Sequence, residues 1–167
     1  EFGDDVRSII LRPEYRQVFP YTEFRKGSKA RDHMVTTKGG KLSFLGRGGS
    51  ATGRPADLLI VDDPIKNAQE AESLASRNEV WQWYTQALDT RCHVNSSQII
   101  VLTRWHEDDI IGRLTDPTNP FYDEHVAKKW TVINIPAIMD NETIAKALGK
   151  KVGESLWPAR FPLELLD

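Results

Sequence analysis

Asp62 and Asp63 stand side by side at the end of an apolar run, Leu58-Leu59-Ile60-Val61, and Pro64 follows them. Two adjacent carboxylates at the mouth of a hydrophobic strand can divide a task. The first can hold Mg²⁺, directly or through a coordinated water, and the second can orient an attacking water. That is the form of a Walker B strand, whose chemistry is nucleoside triphosphate hydrolysis. The same residues also suit a buried strand followed by a solvated turn, because Asp-Asp-Pro turns readily. The pair alone leaves both readings open.

Further groups extend the first reading. Gly46-Arg47-Gly48-Gly49-Ser50-Ala51-Thr52-Gly53-Arg54-Pro55 is a loop rich in glycine, with two arginines that could meet developing negative charge. It lacks the Gly-Lys-Ser/Thr ending of a phosphate-binding loop and leads into a strand, so it is not a Walker A segment. A second strand over Gln98–Leu102 ends at Thr103-Arg104-Trp105-His106. Its threonine hydroxyl could stand near a γ-phosphate as a sensor. Thirdly, Asp62, Asp63, His106, Asp108 and Asp109 compose a donor set for a metal-dependent nuclease, if different elements bring them together. The acids after His106 also have a plain reading as helix-dipole partners, and His106 as a capping histidine. His33, His93 and His125 have no partner spacing.

The elements that must position these groups follow from periodicity. Residues 1–19 read as a helix with a second turn beginning at Pro13, and Val35–Leu45 as two short strands about Lys38-Gly39-Gly40-Lys41. The run 58–61 suits a central strand covered on both faces. Gln69–Arg91 reads as one long helix with a stripe of Leu74, Val80, Trp81, Tyr84, Ala87 and Leu88. A helix is expected from near His106, a third strand over Trp130–Ile135, and a helix and loop over 139–151. Leu156-Trp157-Pro158-Ala159-Arg160-Phe161-Pro162 is irregular, a linker or a surface arm. Strands alternating with helices predict an α/β fold with a three-layer, mostly parallel sheet.

Composition sets outer bounds. The 167 residues make about one domain, with 40 % hydrophobic and 28 % charged residues and a net charge of −2. No apolar run approaches the ~18 residues of a membrane helix. Cys92 is the only cysteine, which excludes an internal disulfide. Charge is uneven: Arg25, Lys26, Lys29, Arg31, Lys38, Lys41, Arg47 and Arg54 crowd residues 25–54 against the one acid Asp32. Such a stripe could bind phosphates or nucleic acid, or be a solvated face.

Taken together, the glycine loop with Asp57-Leu58-Leu59-Ile60-Val61-Asp62-Asp63-Pro64, Trp81-Gln82-Trp83-Tyr84-Thr85, Leu102-Thr103-Arg104-Trp105-His106-Glu107-Asp108-Asp109 with Gly112-Arg113-Leu114, and Leu156–Pro162 resembles the large terminase subunit of tailed bacteriophages. The resemblance implies a P-loop NTPase fold of the ASCE type, incomplete here because the Walker A segment would lie upstream of Glu1. It implies an ATPase domain over 1–152 and, over 153–167, a linker toward a nuclease domain. Asp62 then matches the Mg²⁺ acid and Asp63 the catalytic carboxylate, often a glutamate in the family. Thr103 and Arg104 match the coupling motif. Arg54, or Arg47 after it, resembles an arginine finger acting on a neighbouring subunit. The implied cofactors are ATP and Mg²⁺. The implied partners are double-stranded DNA, the portal protein and the small terminase subunit, with a homo-oligomeric ring on the portal and no membrane. The implied location is the host cytoplasm rather than the virion. On this reading the chain is one part of a DNA-packaging motor, inactive alone for want of Walker A. A non-catalytic DNA- or partner-binding module from a degenerate prophage is the alternative.

Overall fold

A computed structural model describes residues 2–28 and 30–166 and shows a mixed α/β chain in two compact units, 1–122 and 123–167. Lys29, one of the eight basic residues, lies outside the described residues. No helix among those described is long and apolar enough to cross a membrane.

The first unit opens with α1 (Phe2–Leu11) and α2 (Pro13–Val18); Pro13 starts the second helix, where its missing N–H costs nothing. An antiparallel hairpin follows, β1 (His33–Val35) with β2 (Lys41–Ser43), and Gly39 supplies the positive φ of its turn. β3 (Ala56–Asp62) and β4 (Cys92–Val101) then pair in parallel, in a register that sets Ile60 opposite Ile99 and Asp62 opposite Val101. Parallel pairing requires a crossover, and helices between the strands provide it.

The crossover is not the single helix expected over 69–91. α3 (Ala68–Glu72) stops at Ser73, whose extended backbone and side chain cap α4 (Leu74–Gln82) through Ser76 N–H. Serine competes for the backbone in this way and favours a helix start over a helix interior. Beyond Gln82 the chain widens to a π-turn over Trp83–Leu88 and then tightens to a 3₁₀ turn over Asp89–Arg91. Thr85 Oγ1 bonds back to the Trp81 carbonyl at 2.8 Å there, the kind of side-chain intrusion that accompanies helix distortion. Val80, Tyr84 and Leu88, four apart, form the buried line of this segment, whereas Leu74 stands 56 % exposed and leaves the predicted stripe.

The β3–β4 pair is covered on one face only, against the expectation of burial on both. Val61 is buried and Leu59 half-buried on the face where Gln98 accepts from Tyr84 Oη (2.8 Å) and donates to Asp89 (2.7 Å). Burial pushes the Tyr84 hydroxyl pKa upward. On the other face Leu58, Ile60, Ile99 and Val101 are all exposed, and no third strand among the described residues joins the pair. The described residues therefore contain one parallel pair rather than a multi-stranded, three-layer sheet.

The helix expected near His106 begins four residues later, as α5 (Ile110–Thr115), because Asp109 is its N-cap and accepts from Gly112 N–H at 2.8 Å. Glu107 and Asp108 thus precede the helix rather than fill its first turn.

The second unit holds α6 (Glu124–Ala127), α7 (Glu142–Ala147) and a 3₁₀ turn over Leu163–Leu165. Trp130–Ile135 is irregular and not the expected third strand. No strand among the described residues pairs with it, and Val132, Ile133 and Ile135 are exposed. An apolar run without a ladder partner has no reason to hold strand geometry. Buried Met139, Ala145 and Ser155 form a small core where Ile138 bridges Ser155. The 155–161 turn is closed by Ser155 Oγ donating to the Phe161 carbonyl, with Arg160 lying between Trp157 and Phe161 at 5.4 and 5.5 Å.

Candidate functional site

The carboxyl ends of β3 and β4 bring three of the sequence-predicted residues together. Asp62 is exposed at the end of the open face and, among the described residues, makes no ion pair or hydrogen bond through its carboxylate. Asp63 leaves the strand with φ +39°, the one non-glycine residue among those described in the left-handed region. Aspartate tolerates that conformation better than most residues. Two hydrogen bonds hold it there: Asp63 N–H donates to the Val101 carbonyl (3.0 Å), and Asp63 Oδ1 accepts from Thr103 N–H (2.9 Å). The second acid and the end of the second strand are thus fastened together directly, while the Thr103 side chain remains exposed.

The glycine loop reaches the same end of the pair through Arg47. Its Nη1 donates to the Pro64 carbonyl (3.3 Å) and pairs with Glu70 on α3. Glu70 also accepts from Lys66 N–H (2.8 Å), and that bond, with the Arg47 charge, holds its carboxyl below the usual range. On the loop's other flank, Trp83 Nε1–H donates to the Gly49 carbonyl at 3.0 Å. Gly49 itself is closely approached: a Cβ there would stand 2.8 Å from the Gly46 carbonyl oxygen. Arg54 lies elsewhere. It precedes the first residue of β3, so a seven-residue strand, ~20 Å at ~3.3 Å per residue, separates it from the acid pair. Its Nη2 stands 3.8 Å from Asp32, and its Nη1 is buried without a hydrogen-bond partner.

Arg104 turns toward α5. It pairs with the cap residue Asp109, whose burial raises its pKa, and its Nη2 reaches the Glu107 carbonyl at 3.4 Å. Thr103 and Arg104, adjacent in sequence, therefore serve two directions, one toward Asp63 and one into the helix start.

Asp108 has an assignment that spacing did not reveal. It accepts from Arg113 Nε and Nη2 (both 2.7 Å), Arg77 Nε (3.0 Å) and Asn119 Nδ2 (3.0 Å). Arg113 is 1 % exposed, lies over the Phe121 ring at 4.4 Å, and also reaches Asn78 Oδ1 (2.9 Å). The Arg113 bonds, followed by those from Asn119 and Arg77, hold the Asp108 carboxyl well below the usual aspartate range. Asp108 is thereby committed to ion pairs, Asp109 to the cap, and His106 to accepting from Asp108 N–H (2.9 Å). No cluster of three or more His, Cys, Asp or Glu among the described residues could hold a metal. The donor set of a two-metal nuclease is not assembled here. The nearest sequence signal for the Asp108 cluster was the Gly112-Arg113-Leu114 run, in which each residue has a packing reason. A Cβ on Gly112 would stand 1.8 Å from the Glu107 carbonyl oxygen, Arg113 meets Asp108, and Leu114 is core.

Among the described residues, four of the eight basic residues of the stripe meet a side-chain partner. Arg31 pairs with Asp4 (3.5 Å), Arg47 with Glu70 and Arg54 with Asp32, and Lys38 lies over the Tyr21 ring at 5.1 Å. At the opposite ends of the two strands, exposed His93 contacts Asp57 (2.8 Å) and Ser96 Oγ donates to the Ala56 carbonyl (2.6 Å). Those contacts staple the strand starts far from the acid pair.

A family model described as terminase large subunit, T4likevirus-type, N-terminal, matches residues 3–156. No curated protein matches the chain, and no solved structure does.

Proposed function

The chain belongs to the large terminase subunit family, and from that premise we propose that its acid pair is the Walker B part of an ATP-driven motor that packages double-stranded DNA. The supporting observation is the junction of Asp62, Asp63, Thr103 and Arg47 at the carboxyl ends of a parallel strand pair. Ligands of open α/β sheets bind at that end.

In this reading Asp62 holds Mg²⁺. Its carboxylate has no competing protein partner among the described residues, which fits an ion that keeps several waters and takes few carboxylates. The bound ion would neutralise charge on the β- and γ-phosphates. Asp63 accepts a hydrogen bond from the attacking water through the oxygen not engaged by Thr103, and so orients it. Thr103 presents its hydroxyl at the strand end, and Arg104 ties that end to α5, so movement of the strand end is passed to the helix. A guanidinium of the glycine loop supplies the cation for developing charge. For action within its own subunit Arg47 suits that role better than Arg54, because it stands at the acid-pair end of β3. The cradle for the triphosphate is not among these residues, since no Gly-x-x-x-x-Gly-Lys-Ser/Thr occurs in them. DNA, the portal protein, the small subunit and a ring of copies are the partners this reading requires.

The test is Mg²⁺-dependent ATP hydrolysis by the protein expressed from its full reading frame. Turnover that vanishes in Asp62→Ala and Asp63→Asn, with nucleotide still bound by the latter, is the expected result. Undiminished turnover in both variants would overturn the assignment.

A further inference from the structure

Glu70 belongs to none of the motifs that marked the site, yet it stands where two of them meet. Its cap role is local and complete without arginine: Oε2 accepts from Lys66 N–H (2.8 Å), and its own N–H donates to Asn67 Oδ1 (2.9 Å) at the start of α3. The contact with Arg47 is additional and spans from α3 to the glycine loop. Side-chain exposure of the pair is 28 % for Arg47 and 18 % for Glu70, so solvent screens it only in part. Arg47 Nη1 is at the same time 3.3 Å from the Pro64 carbonyl, the residue after Asp63. A long arginine side chain has many rotamers, and one carboxylate held by a helix start selects among them.

We propose that Glu70 is a positioning residue of this site, holding the Arg47 guanidinium beside the Pro64 carbonyl and so fixing the glycine loop next to the acid pair. The catalytic part of this inference rests on the ATP-hydrolysis reading above; the clamp itself does not. Glu70 touches neither nucleotide nor water. It acts through Arg47, with Trp83 holding the opposite flank of the loop at Gly49.

A double-mutant cycle tests it, using Arg47→Ala, Glu70→Gln and the pair, with turnover measured on the protein from its full reading frame. Glu70→Gln keeps an oxygen for Lys66 N–H and puts an uncharged NH₂ donor where the other oxygen meets Arg47, so the pair is lost while the helix start is kept. Its kcat is expected to fall about tenfold or more, the scale of a misplaced catalytic group, with KM for ATP changed less than about twofold. The double variant is expected to be no worse than Arg47→Ala, and Glu70→Asp to recover part of the loss. Losses that multiply in the double variant, or wild-type kcat in Glu70→Gln, would overturn the proposal. The same cycle read by urea unfolding of the 167-residue chain separates the two readings. Coupled unfolding with no turnover in any form leaves the clamp standing and removes the hydrolysis reading. Additive unfolding effects remove the clamp.

Discussion

Thr103 N–H donates to Asp63 Oδ1 at 2.9 Å across forty residues of sequence, and this bond sets the left-handed conformation of Asp63 in place. Asparagine also tolerates positive φ and keeps an oxygen for the same donor. Asp63→Asn is therefore expected to unfold within about 1 kcal/mol of wild type. Asp63→Ala, which loses both the acceptor and the tolerance, is expected to cost about 1–3 kcal/mol. Urea denaturation with a fluorescence readout compares them, and equal losses would show that Thr103 does not hold Asp63.

The two loop arginines separate by position. Arg47→Ala is expected to depress ATP turnover by about 10³-fold or more if it meets the developing charge, whereas Arg54→Ala, at the far end of β3, is expected to change it only a few-fold. Mixing Arg47→Ala with Asp63→Asn subunits distinguishes the mode of action. Recovered turnover marks an arginine acting on a neighbouring subunit, and no recovery marks one acting in its own.

Removing the carboxylate of Asp108 strands two arginines, one of them fully buried. Asp108→Ala is expected to cost about 3–5 kcal/mol, the scale for breaking a buried pair on one side, in equilibrium unfolding. A loss under 1 kcal/mol would mean the cluster is solvated.

Acid sensitivity follows from the same cluster. The folded-state pKa of Asp108 is depressed, so its stabilisation is complete above the unfolded aspartate value of about 3.9 and is lost as pH falls below it. Asp109 runs the other way: burial raises its pKa, so its ionisation opposes folding as pH rises through the raised value. Thermal melts across an acid series are expected to show a steep fall below about pH 4 that flattens in Asp108→Asn.

Gly112 tests the packing of α5. A methyl group there meets the Glu107 carbonyl at 1.8 Å, and backbone must shift to admit it. Gly112→Ala is expected to cost about 3 kcal/mol, although alanine is the better helix former. A stabilised variant would show that the segment before α5 yields freely.

Elements with a strong local signal were readable in the sequence. The turn about Gly39-Gly40, the restart at Pro13, the strand ending at Asp62 and the irregular 156–162 arm all follow from local chemistry, although the first hairpin strand ends at Val35, its expected start. What failed turned partly on local capping and partly on partners far along the chain. The break at Ser73 is a choice between helix interior and cap, and apolar spacing does not record it. Trp130–Ile135 has strand composition without a neighbour to pair with among the described residues. In the site, the acid pair and the end of β4 were visible as types and spacing. The Asp63–Thr103 bond, the Glu70–Arg47 pair and the Asp108 cluster were not, because each joins residues that only the folded chain makes adjacent.

The bond from Trp83 to the Gly49 carbonyl places an indole N–H on the backbone of the glycine loop. The molecule therefore carries an optical reporter at this site without any added dye. Indole emission depends on what its N–H meets, so a loop that lifts from the helix trades a carbonyl for water and changes the Trp83 signal. With the other four tryptophans replaced by phenylalanine, stopped-flow emission after mixing with ATP and Mg²⁺ would time that movement.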